Sequence, residues 1–266
     1  KYYEYLYLMN SSNESILNVD IIDPMIGITE TKNVEQFAKE QGPMKFDNIA
    51  NLIEPDNVKQ IIMINFDESK SMIGDLDGYY IQPDNDNDQR ITIAYQYLTS
   101  FANKTYNYHL PCIQGLISFN NNITVRYPLG PLIPDFEDKG LKNIKPNSIT
   151  KLWDSLHHSC EEIIQFRKDK NGNELYKNAI SRILVISDGG DINSSINVQD
   201  VVRELLINKI IVDSIIISNE EECMTLCAVC HITGGLSIRP KTVNEGLAFI
   251  EKDAFLNYEE RIVNCD

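Results

Sequence analysis

Apolar and polar residues alternate in two different patterns along most of the chain. From Val58 onward, short and nearly unbroken apolar runs are separated by longer stretches in which apolar residues recur every three or four positions. The short runs predict strands buried on both faces, and the longer stretches predict amphipathic helices. The predicted strands are Ile61–Phe66, Cys112–Phe119, Asn122–Leu129, Ile183–Ser187, Ile210–Ser218 and Leu236–Arg239, and the predicted helices are Gln89–Phe101, Thr150–Arg167, Val198–Ile207, Glu220–Ile232 and Val243–Tyr258.

This order of elements predicts an α/β fold. Strands that alternate with helices form a parallel sheet, because each crossover helix returns the chain to the same end of the sheet. The short link around Asn120 and Asn121 joins two strands directly, and this hairpin predicts one antiparallel strand at a sheet edge. We therefore expect a doubly wound, Rossmann-like domain with a mainly parallel six-stranded sheet, one antiparallel edge strand and helices on both faces.

The N-terminal residues 1–57 do not show this alternation of strand and helix patterns. Tyr3, Tyr5 and Tyr7 alternate with other side chains in a strand-like pattern, and residues Asn33–Lys39 have helical spacing. The division that follows is an N-terminal extension of unknown role over residues 1–57, a domain over residues 58–258 and a C-terminal tail over residues 259–266.

Composition and charge narrow the classes of function. The 266 residues include 39 Asp and Glu against 24 Lys and Arg, and this net charge of −15 repels phosphate backbones and anionic membrane surfaces. We therefore expect no nucleic-acid binding. No apolar run reaches the length of a membrane span, so we expect no membrane insertion either. The six cysteines are too few and too irregular for a disulfide framework, which favours the cytoplasm. An extracellular location follows instead if an upstream signal has been removed before Lys1.

Oxygen-bearing side chains follow the predicted strands at the edge where ligands bind in α/β sheets. Asp67, Ser69 and Ser71 follow the first strand, Asp188 follows Ile183–Ser187, and Thr150 is placed to cap the long helix that it opens. These side chains converge if the two strands are neighbours. Carboxylates and hydroxyls without His or Cys favour a hard cation, Mg²⁺ first and Mn²⁺ or Ca²⁺ next.

The same residues resemble the metal-ion-dependent adhesion site of the von Willebrand factor type A domain. The resemblance rests on Asp67-x-Ser69-x-Ser71, on Thr150 and on Asp188 within Ser-Asp-Gly-Gly-Asp, and it extends over about Val58–Tyr258. It implies that Ser69 and Ser71 bind the ion directly, that Asp67 and Asp188 bind it directly or through water, and that Thr150 joins or leaves with ligand state.

Two departures from the family pattern bear on metal affinity. Lys70 stands where Gly is usual, and its ammonium group is expected to bring a competing charge near the ion. Asn147-Ser148-Ile149 replaces the usual Gly pair before Thr150, which limits loop motion.

The function that this resemblance implies is divalent-cation-dependent binding of a partner protein, whose Glu or Asp carboxylate completes the coordination of the ion. We therefore expect a non-enzyme, and the sequence does not define its oligomeric state. One alternative is a magnesium-dependent phosphatase of the haloacid dehalogenase type, which needs a second carboxylate two residues after its nucleophile, where this chain has Ser69. Another is a scaffold domain whose metal site is degenerate because of Lys70.

We expect the remaining motifs to have structural rather than functional roles. Cys227-Ala-Val-Cys230-His231 matches a haem attachment pattern, and with Cys223 it offers zinc ligands, but an amphipathic helix here predicts cysteines packed in the core. The acidic run Asp84–Asp88 lacks the Gly and the Glu of a calcium-binding loop and is expected to be a solvated loop. Asp154 is expected to balance the helix dipole or to support the site, whereas Asp191 either supports the site or belongs to the loop.

Overall fold

The structure is a computed structural model that describes residues 4–6, 18–23, 27–33, 54–74, 89–108, 110–131, 136, 140, 144–218 and 223–255. It divides into two compact units, Lys1–Asn48 and Ile49–Asp266. The acidic run Asp84–Asp88, the predicted C-terminal tail at 259–266 and most of the predicted helix Asn33–Lys39 lie outside the described residues.

The described part of the first unit is a three-stranded antiparallel sheet. Strand β1 (Glu4–Leu6) pairs with β2 (Asn18–Asp23), and β2 pairs with β3 (Gly27–Asn33). The strand expected around Tyr3–Tyr7 is thus present over its described residues, whereas β2 and β3 were not predicted. Frequent Asn and Asp, which are uncommon in strands, hid the apolar alternation of β2.

The described residues of the second unit form the predicted sheet of six strands. The strands are β4 (Gln60–Asp67), β5 (Cys112–Phe119), β6 (Ile123–Gly130), β7 (Ile180–Ser187), β8 (Ile210–Ile216) and β9 (Ser237–Ile238), in the order β6-β5-β4-β7-β8-β9. Strand β6 runs antiparallel at one edge and the other strands are parallel. The order reverses between β4 and β7, so the sites after these two strands are adjacent.

Five α-helices are described, and they cover both faces of this sheet. They are α1 (Arg90–Asn107), α2 (Leu152–Phe166), α3 (Val198–Ile207), α4 (Met224–Thr233) and α5 (Val243–Phe255). Helix α1 continues six residues beyond the predicted Phe101. Thr105, which lies in this extension, is buried and anchored there because Gln114 Nε2 on β5 donates to its hydroxyl at 2.8 Å.

The core lies on both sides of the central strand. Alternate residues of a strand point to opposite faces. Ile62, Ile64 and Phe66 accordingly pack with side chains of α1 and α5, whereas Ile61 and Met63 pack with side chains of α2, α3 and α4. The doubly wound α/β fold predicted from the sequence is therefore confirmed.

A buried ion cluster joins α5 to the sheet, away from the carboxyl ends of the strands. Arg182 of β7 donates to Asp253 of α5 at 2.6 Å and lies 2.9 Å from Asp213 of β8. All three side chains are almost fully buried. Breaking one pair would leave a buried charge poorly compensated, so the cluster fixes α5 on the sheet.

Candidate metal centre

Three loops meet at the carboxyl end of the sheet through backbone hydrogen bonds. The loop after β4 contacts the loop before α2, because Lys70 N donates to Ser148 O at 3.0 Å. The loop after β7 contacts that same loop, because Ile192 N donates to Thr150 O at 3.1 Å. The loops that carry the predicted ligands are thus bound to one another.

Asp67 is the buried anchor of this end of the sheet. Its Oδ1 accepts a hydrogen bond from Ser69 N at 2.8 Å, and its Oδ2 accepts one from the Ser187 hydroxyl at 2.6 Å. Ser187 Oγ in turn accepts from Gly189 N at 2.9 Å. These bonds fix the carboxylate across the β4–β7 switch point, and each oxygen keeps a further lone pair for a ligand.

The electrostatic environment opposes a charge on Asp67. Burial, and then the negative charge of Asp188, raise the pKa of Asp67 from 3.8 to about 7, although hydrogen bonds from Ser187 and Ser69 oppose this rise. Two carboxyl groups, both buried, therefore lie close enough to repel each other when both are ionised. A cation placed between them would relieve both the desolvation and the repulsion.

Ser69 and Ser71 present their hydroxyls side by side. Their Oγ atoms lie 2.9 Å apart, and the 3₁₀ helix Lys70–Ile73 sets this spacing. Ser69 is buried and Ser71 is exposed, so the pair extends from Asp67 toward solvent. The Lys70 side chain is exposed.

Thr150 is buried beside these loops, but it does not cap α2 as the sequence suggested. The helix begins at Leu152, whose N–H donates to Asp191 Oδ1 at 2.8 Å. Ser194 Oγ accepts from the next two backbone N–H groups at 3.0 and 3.1 Å. The prediction of a Thr150 cap was wrong because side chains from a loop distant in sequence satisfy the helix N-terminus.

Asp154 and Asp191 both fix the loop after β7. Asp154 Oδ1 accepts from Ser195 N at 2.8 Å and from Ile196 N at 2.9 Å. Asp191 Oδ1 accepts from the Ser194 hydroxyl at 2.6 Å as well as from α2. The two carboxylates thus hold the loop that carries Asp188 against the start of α2.

Ser148 adopts a left-handed backbone conformation, with φ at +66°. Its carbonyl accepts the hydrogen bond from Lys70 that joins two of the site loops. The type A pattern usually has Gly at this part of the chain, and a left-handed conformation strains any residue that has a Cβ atom. The departure at Asn147-Ser148-Ile149 therefore adds backbone strain to the loop.

Within the described residues, the basic side chain that contacts a predicted ligand is that of Arg90, whereas the Lys70 side chain is exposed. Arg90 Nη1 donates to Asp188 Oδ2 at 3.0 Å, and the two side chains are 16% and 7% exposed. The buried Nε of Arg90 has no hydrogen-bond partner among the described residues. One sequence signal could have indicated Arg90: a basic residue in the first turn of a helix opposes the helix dipole, and so calls for a carboxylate partner.

Glu68 follows Asp67 in sequence, but its side chain contacts the hairpin of β5 and β6. Its two carboxylate oxygens accept from Arg126 Nη2 of β6 at 3.2 and 3.0 Å, and Asn120 Nδ2 donates at 3.3 Å. Burial raises the pKa of Glu68, and Arg126 opposes that rise. The carboxylate adjacent in sequence to Asp67 is therefore neutralised by an arginine of its own.

The cysteines of the rejected haem and zinc patterns behave largely as core residues. Cys223 and Cys230 are buried among the apolar side chains between α4 and the sheet, Cys227 is half-buried, and His231 is exposed. Cys223 donates its thiol to Asp188 O at 3.2 Å. No group of three or more His, Cys, Asp or Glu side chains arranged for a metal occurs in the described ranges.

The side chains around Asp67 fit a hard divalent cation by their chemistry. They offer carboxylate and hydroxyl oxygens, and Asp67 is a fully buried carboxylate without a cationic hydrogen-bond partner of its own among the described residues. Mg²⁺, Mn²⁺ and Ca²⁺ prefer such oxygens. Arg90 is the feature that departs from a pure oxygen site, because it already neutralises Asp188.

Comparison with solved structures identifies the architecture. The chain is similar to the VWA domain of SpRpn10, with a TM-score of 0.51 at 14% identity over 74% of this chain and 95% of that one. The fold is that of a von Willebrand factor type A domain. A von Willebrand factor type A protein from Catenulispora acidiphila gives a TM-score of 0.55 at 12% identity over 74% of this chain and 42% of its own.

A further structure of the same fold comes from Bacteroides fragilis NCTC 9343, where it is an aerotolerance-related membrane protein. It matches with a TM-score of 0.52 at 15% identity, over 73% of this chain and 98% of that chain. No protein-family model and no curated protein sequence matches this chain. Among the described helices, none is long and apolar enough to cross a membrane.

Proposed function

We propose that this type A domain binds a partner protein through a divalent cation. Mg²⁺, or alternatively Mn²⁺ or Ca²⁺, is held by five side chains on three loops, and the cation offers a Lewis-acid position to a Glu or Asp carboxylate of the partner. The five side chains are Asp67, Ser69, Ser71, Thr150 and Asp188.

The observation that carries the proposal is the buried Asp67 carboxylate. A fully buried carboxyl group whose pKa is raised to about 7 by burial and by Asp188 destabilises the fold when it ionises near neutral pH. Residues with strongly perturbed pKa values concentrate at functional sites. Here the adjacent Ser69 and Ser71 hydroxyls supply further oxygen ligands, and a cation bound among them would stabilise the ionised form of Asp67.

The surface beside the proposed site also suits a protein partner. Ile192, in the loop that follows Asp188, exposes 69% of its surface although its backbone is hydrogen-bonded to Thr150. An exposed apolar side chain held by a fixed backbone contributes contact area around a carboxylate anchor. The fold likeness to type A domains agrees with a role in protein binding.

Calorimetric titration of Mg²⁺ into chelator-treated protein tests the cation site. The wild type should bind one ion, and Asp67→Asn and Ser71→Ala should abolish or strongly weaken binding. Ser100→Ala, a matched change in the middle of α1, should bind like the wild type. Equal heats in the wild type and Asp67→Asn would reject the site.

The protein-binding part of the proposal needs a second experiment. Immobilised wild type and Ser71→Ala are exposed to the same extract in Mg²⁺, and bound protein is then eluted with chelator. A partner that binds the wild type, is absent from Ser71→Ala and leaves with chelator supports the proposal. Partners captured equally by both proteins would contradict it.

A second candidate function is protein binding without a metal. The Arg90–Asp188 ion pair favours it, because the guanidinium already supplies a positive charge at the carboxyl end of the sheet. In that case the titration gives no heat, and capture of a partner is insensitive to chelator.

A further inference from the structure

We propose that Arg90 is a built-in competitor of the divalent cation for Asp188 and so sets the metal affinity of the site. The inference rests on the proposed function, since it concerns the same cation. Arg90 is not one of the five proposed ligands, and its helix, α1, carries none of them.

The position of Arg90 in the helix indicates that it is held in place by Asp188. Arg90 is the first residue of α1, where the helix dipole disfavours a positive charge and the first turn holds no acidic residue. Its Nη1 nevertheless donates to Asp188 Oδ2 at 3.0 Å across 98 residues of sequence. The carboxylate thus supplies a favourable contact that the helix terminus does not.

The ion pair is largely screened from water, which strengthens it. Arg90 and Asp188 expose 16% and 7% of their side chains, and charge-assisted hydrogen bonds are stronger where water is excluded. Arginine also stays protonated at every pH at which proteins fold. Its charge therefore cannot be lost, and Arg90 has to leave Asp188, or share it, for a cation to bind there.

Arg90 is also linked to the loop that carries the hydroxyls. Its backbone N–H donates to Gly74 O at 3.4 Å, and Gly74 N donates to Ser71 O at 2.9 Å. A Cβ added to Gly74 would lie 3.8 Å from Cζ of Arg90, so the guanidinium passes close to this backbone. The residue that pairs with Asp188 is thus also hydrogen-bonded, through its backbone, to the segment that carries Ser71.

Lys70 provides a matched control for charge. It lies between Ser69 and Ser71 in sequence, but its side chain is exposed and water screens its ammonium group. Replacing either cation by Met changes the net charge equally and keeps a long side chain. A difference between Arg90→Met and Lys70→Met thus reports the contact with Asp188 rather than the overall charge.

The test is a titration with Mn²⁺, followed by electron paramagnetic resonance of the unbound ion, on the whole chain. Arg90→Met should bind Mn²⁺ about tenfold to a hundredfold more tightly than the wild type, the range expected for losing a hydrogen bond between charged groups. Lys70→Met should stay within about threefold of the wild type, as for exposed charges. Binding by Arg90→Met alone, with none by the wild type, also supports the inference.

Two contrary outcomes distinguish a failure of the Arg90 role from a failure of the cation site. If the wild type binds Mn²⁺ and Arg90→Met binds it equally or more weakly, Arg90 is not a competitor, and the cation site stands without it. If no protein binds Mn²⁺, both the inference and the cation site are rejected.

Thermal unfolding supplies a readout that does not depend on the titration, and Arg90→Gln guards against misfolding of the Met variant. Without divalent ions, both Arg90 variants should melt below the wild type, because Asp188 has lost its partner. With saturating Mn²⁺, this deficit should disappear or reverse. A deficit that is the same with and without Mn²⁺ would overturn the inference.

Discussion

Asp67→Asn should stabilise the protein in the presence of chelator, in a way that depends on pH. In the wild type, burial and Asp188 raise the pKa of Asp67 from 3.8 to about 7. The folded state therefore keeps this proton after the unfolded state has released its own, and wild-type stability declines as the pH rises from about 4 through about 7. Asparagine has the same shape and does not ionise.

The magnitude follows from that pKa difference. The rise of the pKa from 3.8 to about 7, at about 1.4 kcal/mol for each pKa unit, means that ionised Asp67 destabilises the wild type by at most about 4 kcal/mol above pH 7. The Asn amide group replaces an oxygen that accepts from the Ser187 hydroxyl at 2.6 Å, and an impaired hydrogen bond there costs about 1–2 kcal/mol. We therefore expect a net gain of about 2–3 kcal/mol at about pH 8 and a net loss of about 1 kcal/mol at about pH 4, where the hydrogen-bond cost is almost unopposed.

Urea denaturation in chelator at these two pH values measures the effect. Asp200→Asn, at an exposed position of α3, is the matched control and should show no such pH-dependent gain. Adding Mg²⁺ at the higher pH should then stabilise the wild type but not Asp67→Asn, because ligand that binds only the folded state raises its stability. A variant whose stability difference from the wild type is the same at both pH values would refute the reasoning.

Two further substitutions test the fold around the site. Ser148→Gly should raise the free energy of unfolding by about 0.5–1 kcal/mol in urea denaturation, because glycine adopts the φ of +66° without strain; a loss of stability would show that the Ser side chain contributes more than its strain removes. Asp253→Ala should lower the free energy of unfolding by about 3 kcal/mol, because Arg182 loses its 2.6 Å partner in the buried cluster, and the Mg²⁺ affinity should not change; a loss below about 1 kcal/mol would mean that Asp213 alone compensates the arginine.

The sheet and its helices were predictable because their signals are local. Ile61–Phe66 is apolar at nearly every position, as a central parallel strand requires, and the described strand Gln60–Asp67 contains it. The edge hairpin followed from the short link at Asn120 and Asn121. Strands β2 and β3 were missed because Asn and Asp interrupt the alternation in β2, and its partner was not recognised.

The groups that support the candidate site were harder to predict because their contacts join distant parts of the chain. Asp191 caps α2 from 39 residues away, and Arg90 reaches Asp188 across 98 residues. Nothing in the spacing near Thr150 distinguishes a residue that caps its own helix from one whose helix is capped by another loop. Residue type and strand order predicted the loops that meet, whereas the choice of cation partner depends on three-dimensional packing.

A crystal structure of the wild type grown with excess Mn²⁺ and measured at the manganese absorption edge tests the central claim most directly. We expect one anomalous peak at the Ser69 and Ser71 hydroxyls beside Asp67, with Arg90 either withdrawn from Asp188 or bonded to its Oδ2 alone. Absence of a peak at the carboxyl end of the sheet, with Arg90 still bonded to Asp188 at full Mn²⁺ concentration, would contradict it.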